Sequence, residues 1–418
     1  MSESRAEPTP DFRLFEVFGV EIEYMLVDAA TLAVLPAADE ILKSIAGGYV
    51  NEAEAGGLGW SNELALHVIE LKTAQPSPTL AGLDKVFQAG VSRINDIAAA
   101  MGGRLMPTAM HPWMDPETDT RLWPHGDRTI YQAFDRIFDC RGHGWSNLQS
   151  MHLNLPFGDD AEFARLHAAV RFVMPLLPAL AASSPVMDGR LTGTLDNRLA
   201  VYRHNARQVP AVTGVVIPEP VFSRRDYERD ILGRIYQDMA AHDPDGILRH
   251  EWVNARGAIA RFDRCAIEIR VLDTQECPLA DIAIAALVGE TVRALTDEAW
   301  CGVKALQRWD GAALEGIYNE AVRDAERATI HNRRYLEALG FPERAPCRAQ
   351  DLWQHLIEAL QPQRLAPNRA RVYETYLAEG TLARRIERAL SQAPSREELG
   401  AVYRRLCDGL AAGTLFDG

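Results

Sequence analysis

The chain has 418 residues, with 58 acidic against 44 basic side chains, a net charge of −14 and an apolar fraction of 47%. That is enough apolar material for a sizeable core, and an acidic balance that excludes broad nucleic-acid binding, which needs basic surface. An anionic substrate stays open, because local arginines or bound cations reverse the field at a site.

The opening residues, MSESRAEPTPDF, are polar and lack an apolar leader core, so residues 1–14 read as a disordered tail rather than a secretory signal. A strand follows at 16–27, where Glu21 and Glu23 stand two apart among Val20, Ile22, Tyr24, Met25 and Leu26. A second strand is expected at 64–72, a helix at 79–101 and a third strand at 149–155. A helix at 160–182 and a fourth strand at 265–272 come next. The most apolar stretch, VMPLLPALAASSPVM, is too short and too rich in proline to span a bilayer, so no membrane association is expected. From about residue 280 the pattern is helical, with helices at 278–300 and 313–340, the latter stopped by Gly340 and Pro342. Further helices close the chain, the last opened by a Ser395–Glu398 capping box. Six cysteines without a CxxC pair favour reduced thiols and a cytoplasmic location.

This order is not a βαβα alternation. It predicts an α+β fold with a largely antiparallel sheet, a catalytic region over 15–300, and a helical portion at 301–418 packed on the same domain.

Side chains alternate between the faces of a strand. In VEIEY, Glu21 and Glu23 share a face; in SMHLNLP, Ser150, His152 and Asn154 do; in AIEIRVLD, Glu268 and Arg270 do. Each strand thus has one apolar face and one face of groups that bind metal or phosphate. Glu63 and Glu70 are seven apart in NELALHVIELKT, so either a bulge intervenes or Glu63 lies in the turn before the strand. Taken one at a time, these groups also fit a solvated strand face, a core histidine and a cross-strand salt bridge. Their repetition over several strands favours a shared surface. Several carboxylates with one histidine make an oxygen-rich donor set, suited to Mg²⁺ or Mn²⁺. Arg270 beside Glu268 suits a grip on phosphate or carboxylate. The chain contains no GxxxxGK[ST] and no GxGxxG, which excludes a Walker-type nucleotide site.

GVEIEYMLVD, ELALHVIELKT, SMHLNLPFG, ALAASSPVMDGRLTG and RFDRCAIEIRVLDT, in that order, resemble the successive motifs of the glutamate–cysteine ligase type 2 family of carboxylate–amine ligases. The resemblance spans roughly residues 16 to 300. It implies a curved, largely antiparallel sheet like that of glutamine synthetase, flanked by helices. It also implies ATP and Mg²⁺, and a reaction in which ATP activates the γ-carboxyl of glutamate as an acyl phosphate. An amine, by default cysteine, then displaces phosphate, as in glutathione biosynthesis. Carried onto this chain, the resemblance makes Glu21, Glu23, Glu63, Glu70, His152 and Glu268 metal ligands, and places Arg270 with Glu268 at the transferred phosphate. Arg198, Arg203 and Arg207 compete for one substrate-binding position, with Asn154 nearby, and Asn332 and Arg333 match a late segment faintly. Cys140 and Cys265, close to the motifs, read as small buried residues because no step needs a thiol. The amine identity stays open, a homodimer is possible, and two other readings compete: a non-catalytic nucleotide- or metabolite-binding protein, and a metal-dependent hydrolase.

Overall fold

The computed structural model describes residues 12–342, 346–361 and 367–418. Most of the expected tail lies outside these residues; at its end, Arg13 pairs with Asp159 at 2.8 Å and the Leu14 amide donates to Glu162.

The centre is an eight-stranded sheet whose strand pairs are all antiparallel. Its strands are β1 (Gly19–Asp28), β2 (Glu52–Ala55), β3 (Leu58–Asn62), β4 (Val68–Thr73), β5 (Gly103–Met106) and β6 (Ser150–Pro156). A small hairpin, β7 (Val186–Met187) with β8 (Arg190–Leu191), stands apart, turned by Asp188 and Gly189 at φ 53° and 71°. Two positive φ values in succession are what a tight hairpin turn demands. Back in the large sheet follow β9 (Ala258–Arg261) and β10 (Ala266–Asp273). The order across it is β2-β3-β4-β1-β6-β10-β9, and β5 continues beside β1 where β6 ends.

Alternation along β1 divides it as the sequence predicts. Val20, Ile22, Tyr24 and Leu26 enter the main core with Phe87, Ile94, Leu166 and Ile282. These partners come from helices Leu83–Ala99, Asp160–Val173 and Pro278–Thr296. The last is buried on nearly every side, which explains its largely apolar composition, with Ile282–Val288 free of polar side chains. Helix Leu83–Ala99 approaches the sheet closely through Gly90, where an added Cβ would lie 2.9 Å from Leu58 Cδ1 and 3.0 Å from Leu71 Cδ1. The opposite face of β1 is polar only in its first half. Beyond Glu23, Met25 and Val27 point the same way and pack under Leu399, Tyr403 and Leu406 of helix Arg396–Ala412. That helix therefore roofs one end of the polar face.

Two helical expectations change. The 160–182 segment ends its α-helix at Val173, because Pro175 and Pro178 start a 3-10 turn and a short helix, Pro178–Ala181. The expected helix over 313–340 is two helices, Gly311–Asp324 and Arg333–Ala338. Between them a two-residue strand, Thr329–Ile330, pairs with Cys347–Arg348. The break falls at Ala325 (φ 49°) and seats the buried Glu326 carboxylate against Arg384 Nε at 2.8 Å and Thr381 Oγ1 at 3.0 Å. Those partners lie over fifty residues away, beyond the reach of local periodicity. Gly340 follows the second helix with φ 68°. Ser395 caps the final helix by accepting the Glu398 amide at 3.2 Å, and the Glu398 carboxylate bonds Ser391.

The helical portion is tied to the sheet layer by polar anchors. Trp353 donates to the Leu176 carbonyl, Tyr373 to that of Ala283 and Tyr376 to that of Ala179. Arg385 forms a buried pair with Glu276 at 2.7 Å. Among the described residues, no helix is long and apolar enough to cross a membrane.

Candidate active site

The strand registers bring the sequence candidates together. Glu21 is cross-strand from His152 on one side and from Lys72 on the other, and Glu23 is opposite Glu70. Glu268 is opposite Asn154. Of the two arrangements open for Glu63, the structure shows the turn: β3 ends at Asn62 and β4 begins at Val68.

The register of β10 against β6 shifts between Ile269 and Leu272, so Arg270 and Val271 together face the single position of His152. A bulge of this kind changes which residues share a face. It puts Asp273 opposite Ser150, on the polar side, where an unbroken strand would have put Leu272.

These groups line a cavity of about 310 Å³. Its polar wall holds Glu21, Glu23, Glu63, Glu70, Glu268 and His152 beside Lys72, Arg198, Arg261, Arg264 and Arg270. A second cavity of about 370 Å³ shares Glu63, Glu70, Lys72, Arg261 and Arg264 with it. The two cavities adjoin along this charged stretch, and Phe134 and Trp252 line both as well.

The donors are oriented from behind. Ser150 holds Glu23 through its amide at 2.7 Å and its hydroxyl at 3.1 Å. Ser61 Oγ donates to Glu70 at 2.6 Å, and Asn154 Nδ2 to Glu21 at 3.0 Å. His152 Nδ1 lies 3.2 Å from Glu21. Two sets of possible ligand atoms lie within 4.8 Å of one another: Glu21, Glu70 and His152, and Glu23, Glu63 and Glu70. Glu70 belongs to both.

The electrostatics of this wall fit divalent cations. Burial, then the charge of Glu23, pushes the Glu63 carboxyl up to about 8. Burial, then Glu21 and Glu63, raises Glu70 well above the carboxylate range. Glu21 goes the other way: burial is the largest single influence and opposes its charge, but the hydrogen bond and charge of His152, with the Glu70 hydrogen bond and the charge of Arg264, together outweigh it and hold Glu21 below the usual carboxylate range. The protein's own cations thus leave part of the carboxylate cluster uncompensated, and a bound divalent ion would supply the missing charge.

That imbalance sets a pH dependence. Glu63 titrates near 8 in the fold against about 4.5 when unfolded, so its contribution to stability is full below 4.5 and is lost as pH rises through 8. A divalent ion bound among these carboxylates would relieve this loss, so added Mg²⁺ should raise the melting temperature more at about pH 8.5 than at about pH 6. Thermal unfolding with Mg²⁺ and with EDTA measures this; equal shifts at both pH values would contradict it.

Several candidates are placed differently from expectation. Glu268 lines the cavity, but one oxygen accepts Arg270 Nε at 2.6 Å and the other Arg261 Nη1 at 3.3 Å, and it joins neither ligand set. Arg198 is the arginine at the site among the three that competed. It is 2% exposed, pairs with Asp273 and donates to the Arg270 carbonyl at 3.2 Å. Asp273 also accepts from the Ser183 amide at 2.8 Å and the Ser184 hydroxyl at 3.1 Å, so the Ser-Ser-Pro stretch serves to hold this pair. Arg203 turns away to Asn319 and Glu315 of helix Gly311–Asp324. Arg207 is exposed and lines an adjoining cavity of about 280 Å³, which shares Gly144, Trp145 and Asn205 with the first. Asn154 supports Glu21 rather than lining the main cavity. Asn332 caps helix Arg333–Ala338 and Arg333 pairs with Glu337 at its surface, apart from the site. Cys140 is buried and Cys265 half-buried.

Sequence reasoning missed Lys72, Arg261 and Arg264. Lys72 was within reach, since it follows Glu70 by two on the same strand face. The arginines flank the β9–β10 turn, whose register only the paired strands reveal.

The sheet and its helices are those of solved ligases. The glutamate–cysteine ligase of Francisella tularensis, solved in complex with AMP, superposes with a TM-score of 0.60 over 94% of this chain and 88% of that one, at 13% identity. A bifunctional glutathione synthetase from Pasteurella multocida gives 0.60 over 96% of this chain and 53% of that one, at 14% identity. At such identities the likeness is one of fold, and it is the glutamine-synthetase-like fold the sequence implied. In sequence, an uncharacterized protein of Archaeoglobus fulgidus is 40% identical over 68% of this chain and 75% of its own length. A Salinispora arenicola protein named "Putative glutamate--cysteine ligase 2" is 27% identical over 95% of this chain and 94% of its own. With its acidic sheet face, this protein falls in the class of ATP-dependent carboxylate–amine ligases, which form carbon–nitrogen bonds. Residues 17–405 match glutamate–cysteine ligase family 2, and the chain belongs to that family.

Proposed function

We propose that this protein joins the γ-carboxylate of glutamate to an amine, with cysteine as the reference amine, through an acyl phosphate made from ATP. The observation that carries the reading is the pair of ligand sets sharing Glu70 beside Arg270 and Arg198.

Glu21, Glu70 and His152 would hold one divalent cation and Glu23, Glu63 and Glu70 another, Mg²⁺ or Mn²⁺ by the oxygen-rich donor set. Bound there, such ions neutralise phosphate oxygens and the charge of the transferring group. Arg270, held by Glu268, faces the cavity as a fixed cation for the migrating phosphoryl oxygens. Arg198 stands beside it, locked by Asp273. A carboxylate oxygen of glutamate attacks the γ-phosphorus of ATP and releases ADP. The amine nitrogen then attacks the acyl carbon, loses a proton and expels phosphate.

The test supplies ATP, Mg²⁺ and glutamate, varies the amine, and follows ADP release and product mass. ADP release that requires both acid and amine, with an amide product, is the expected result. Release without amine would mean hydrolysis, and no turnover with any amine would mean a binding protein.

A further inference from the structure

Besides His152, five basic side chains line the first cavity: Lys72, Arg198, Arg261, Arg264 and Arg270. Four of them are already paired with a carboxylate of the protein. Lys72 lies 2.9 Å from Glu52 and 3.7 Å from Glu70, Arg198 pairs with Asp273, and Arg270 lies 2.6 Å from Glu268. Arg261 bridges two acids, at 3.0 Å from Asp263 and 3.3 Å from Glu268. Arg264 is the exception. It is exposed, and among the described residues no carboxylate lies within ion-pair distance of its guanidinium.

The local structure shows why. Arg264 sits in the turn between β9 and β10, where its amide donates to the Arg261 carbonyl at 3.1 Å. Asp263, the acid beside it, is taken by Arg261 through Nε at 3.2 Å and Nη2 at 3.0 Å. Asp263, Arg261, Glu268 and Arg270 thus form a row of alternating charge with no net excess, and Arg264 stands outside it.

Its place in the sheet gives that surplus a direction. β4, which carries Glu70, is separated from β10 by β1 and β6, about 14 Å at the usual strand spacing. Yet Glu63, Glu70 and Arg264 all line both cavities. The space common to the two cavities therefore has undercompensated carboxylates at one end and an unpaired guanidinium at the other. A ligand that matches both ends presents cations to the glutamates and anionic oxygens to the arginine. A metal-bound phosphate chain does so, whereas a bare amine or a bare carboxylate matches one end only.

Resting on the ligase reading above, we propose that Arg264 grips the phosphate chain of the nucleotide on the side turned away from the metal-ligating carboxylates. A guanidinium whose fork is unengaged makes paired hydrogen bonds to phosphate. Arg198 and Arg270 line the first cavity alone, so they face the group in transfer, and Arg264 holds the part of the chain that stays with the nucleotide. Binding of this kind sets KM and leaves kcat unchanged.

The experiment compares Arg264→Gln with the native protein in two ways. One is kcat and KM for Mg-ATP and for glutamate, with hydroxylamine trapping the acyl phosphate as hydroxamate. The other is MgADP binding by calorimetry, with no acid or amine present. The expected result is a rise of about tenfold in KM for ATP and in Kd for MgADP, the worth of one charge-assisted hydrogen bond, with kcat and KM for glutamate changed by less than about threefold. Arg264→Lys should recover part of the loss, since an ammonium keeps the charge but not the fork. Arg333→Gln removes a surface charge apart from the site and should change neither value. An equal rise in that variant would mean a general field effect and would overturn the proposal. So would unchanged ATP and MgADP values in Arg264→Gln, or a rise in KM for glutamate alone. The native protein separates the two levels: if it forms hydroxamate while Arg264→Gln binds MgADP normally, only this inference falls. If it forms no hydroxamate, the ligase reading falls and this one with it.

Discussion

Glu70→Ala is expected to lower ligase turnover by at least about a thousandfold, more than substitution of any other single carboxylate in the cavity. Loss of one preorganised group at developing charge costs roughly 10²–10³ in rate, and Glu70 contributes to both ligand sets. Ser61 fixes one of its oxygens at 2.6 Å, so the carboxylate is placed before any cation arrives. Glu70→Gln keeps the shape and removes the charge, and should fall nearly as far. Turnover at saturating ATP, with Mn²⁺ binding followed by magnetic resonance, reads both parts: activity and both bound ions should be lost together. Activity within about tenfold of the native protein would mean that Glu70 does not join two cation sites.

Asp273→Ala should destabilise the fold by about 3–5 kcal/mol, the usual cost of leaving a buried charge without its partner. Arg198 and Asp273 are 2% and 0% exposed, and the aspartate also accepts the Ser183 amide and the Ser184 hydroxyl. One substitution therefore strands an arginine and two further donors. The double change Arg198→Met with Asp273→Leu removes both charges and should recover much of the stability, because apolar replacement of a buried pair is often neutral. It should not recover activity, since Arg198 lines the cavity. Urea unfolding measures the first effect and turnover the second. A single-variant loss under about 1 kcal/mol would show that the pair is solvated.

What the sequence revealed follows from the range of the forces involved. The polar faces of β1, β6 and β10 were legible because alternation is a local property of a strand, and the registers Glu21 with His152 and Glu23 with Glu70 then bring those faces together. The antiparallel sheet was legible from element order. The bulge at Arg270 and Val271 was not, since it exists only in the pairing with β6, and with it went the role of Asp273. The break at Ala325 was hidden for the same reason, being fixed by Arg384 and Thr381. Choosing among Arg198, Arg203 and Arg207 also needed tertiary partners, because all three sit in one polar segment and only Arg198 meets Asp273.

The central claim is that a carboxylate oxygen of the acid attacks ATP on this sheet. The most direct test supplies glutamate labelled with oxygen-18 in its γ-carboxylate, together with Mg-ATP and an amine, and analyses the phosphate released. An acyl-phosphate route transfers one labelled oxygen to each phosphate formed. Phosphate carrying no label, released at the same rate whether or not glutamate is present, would contradict the account.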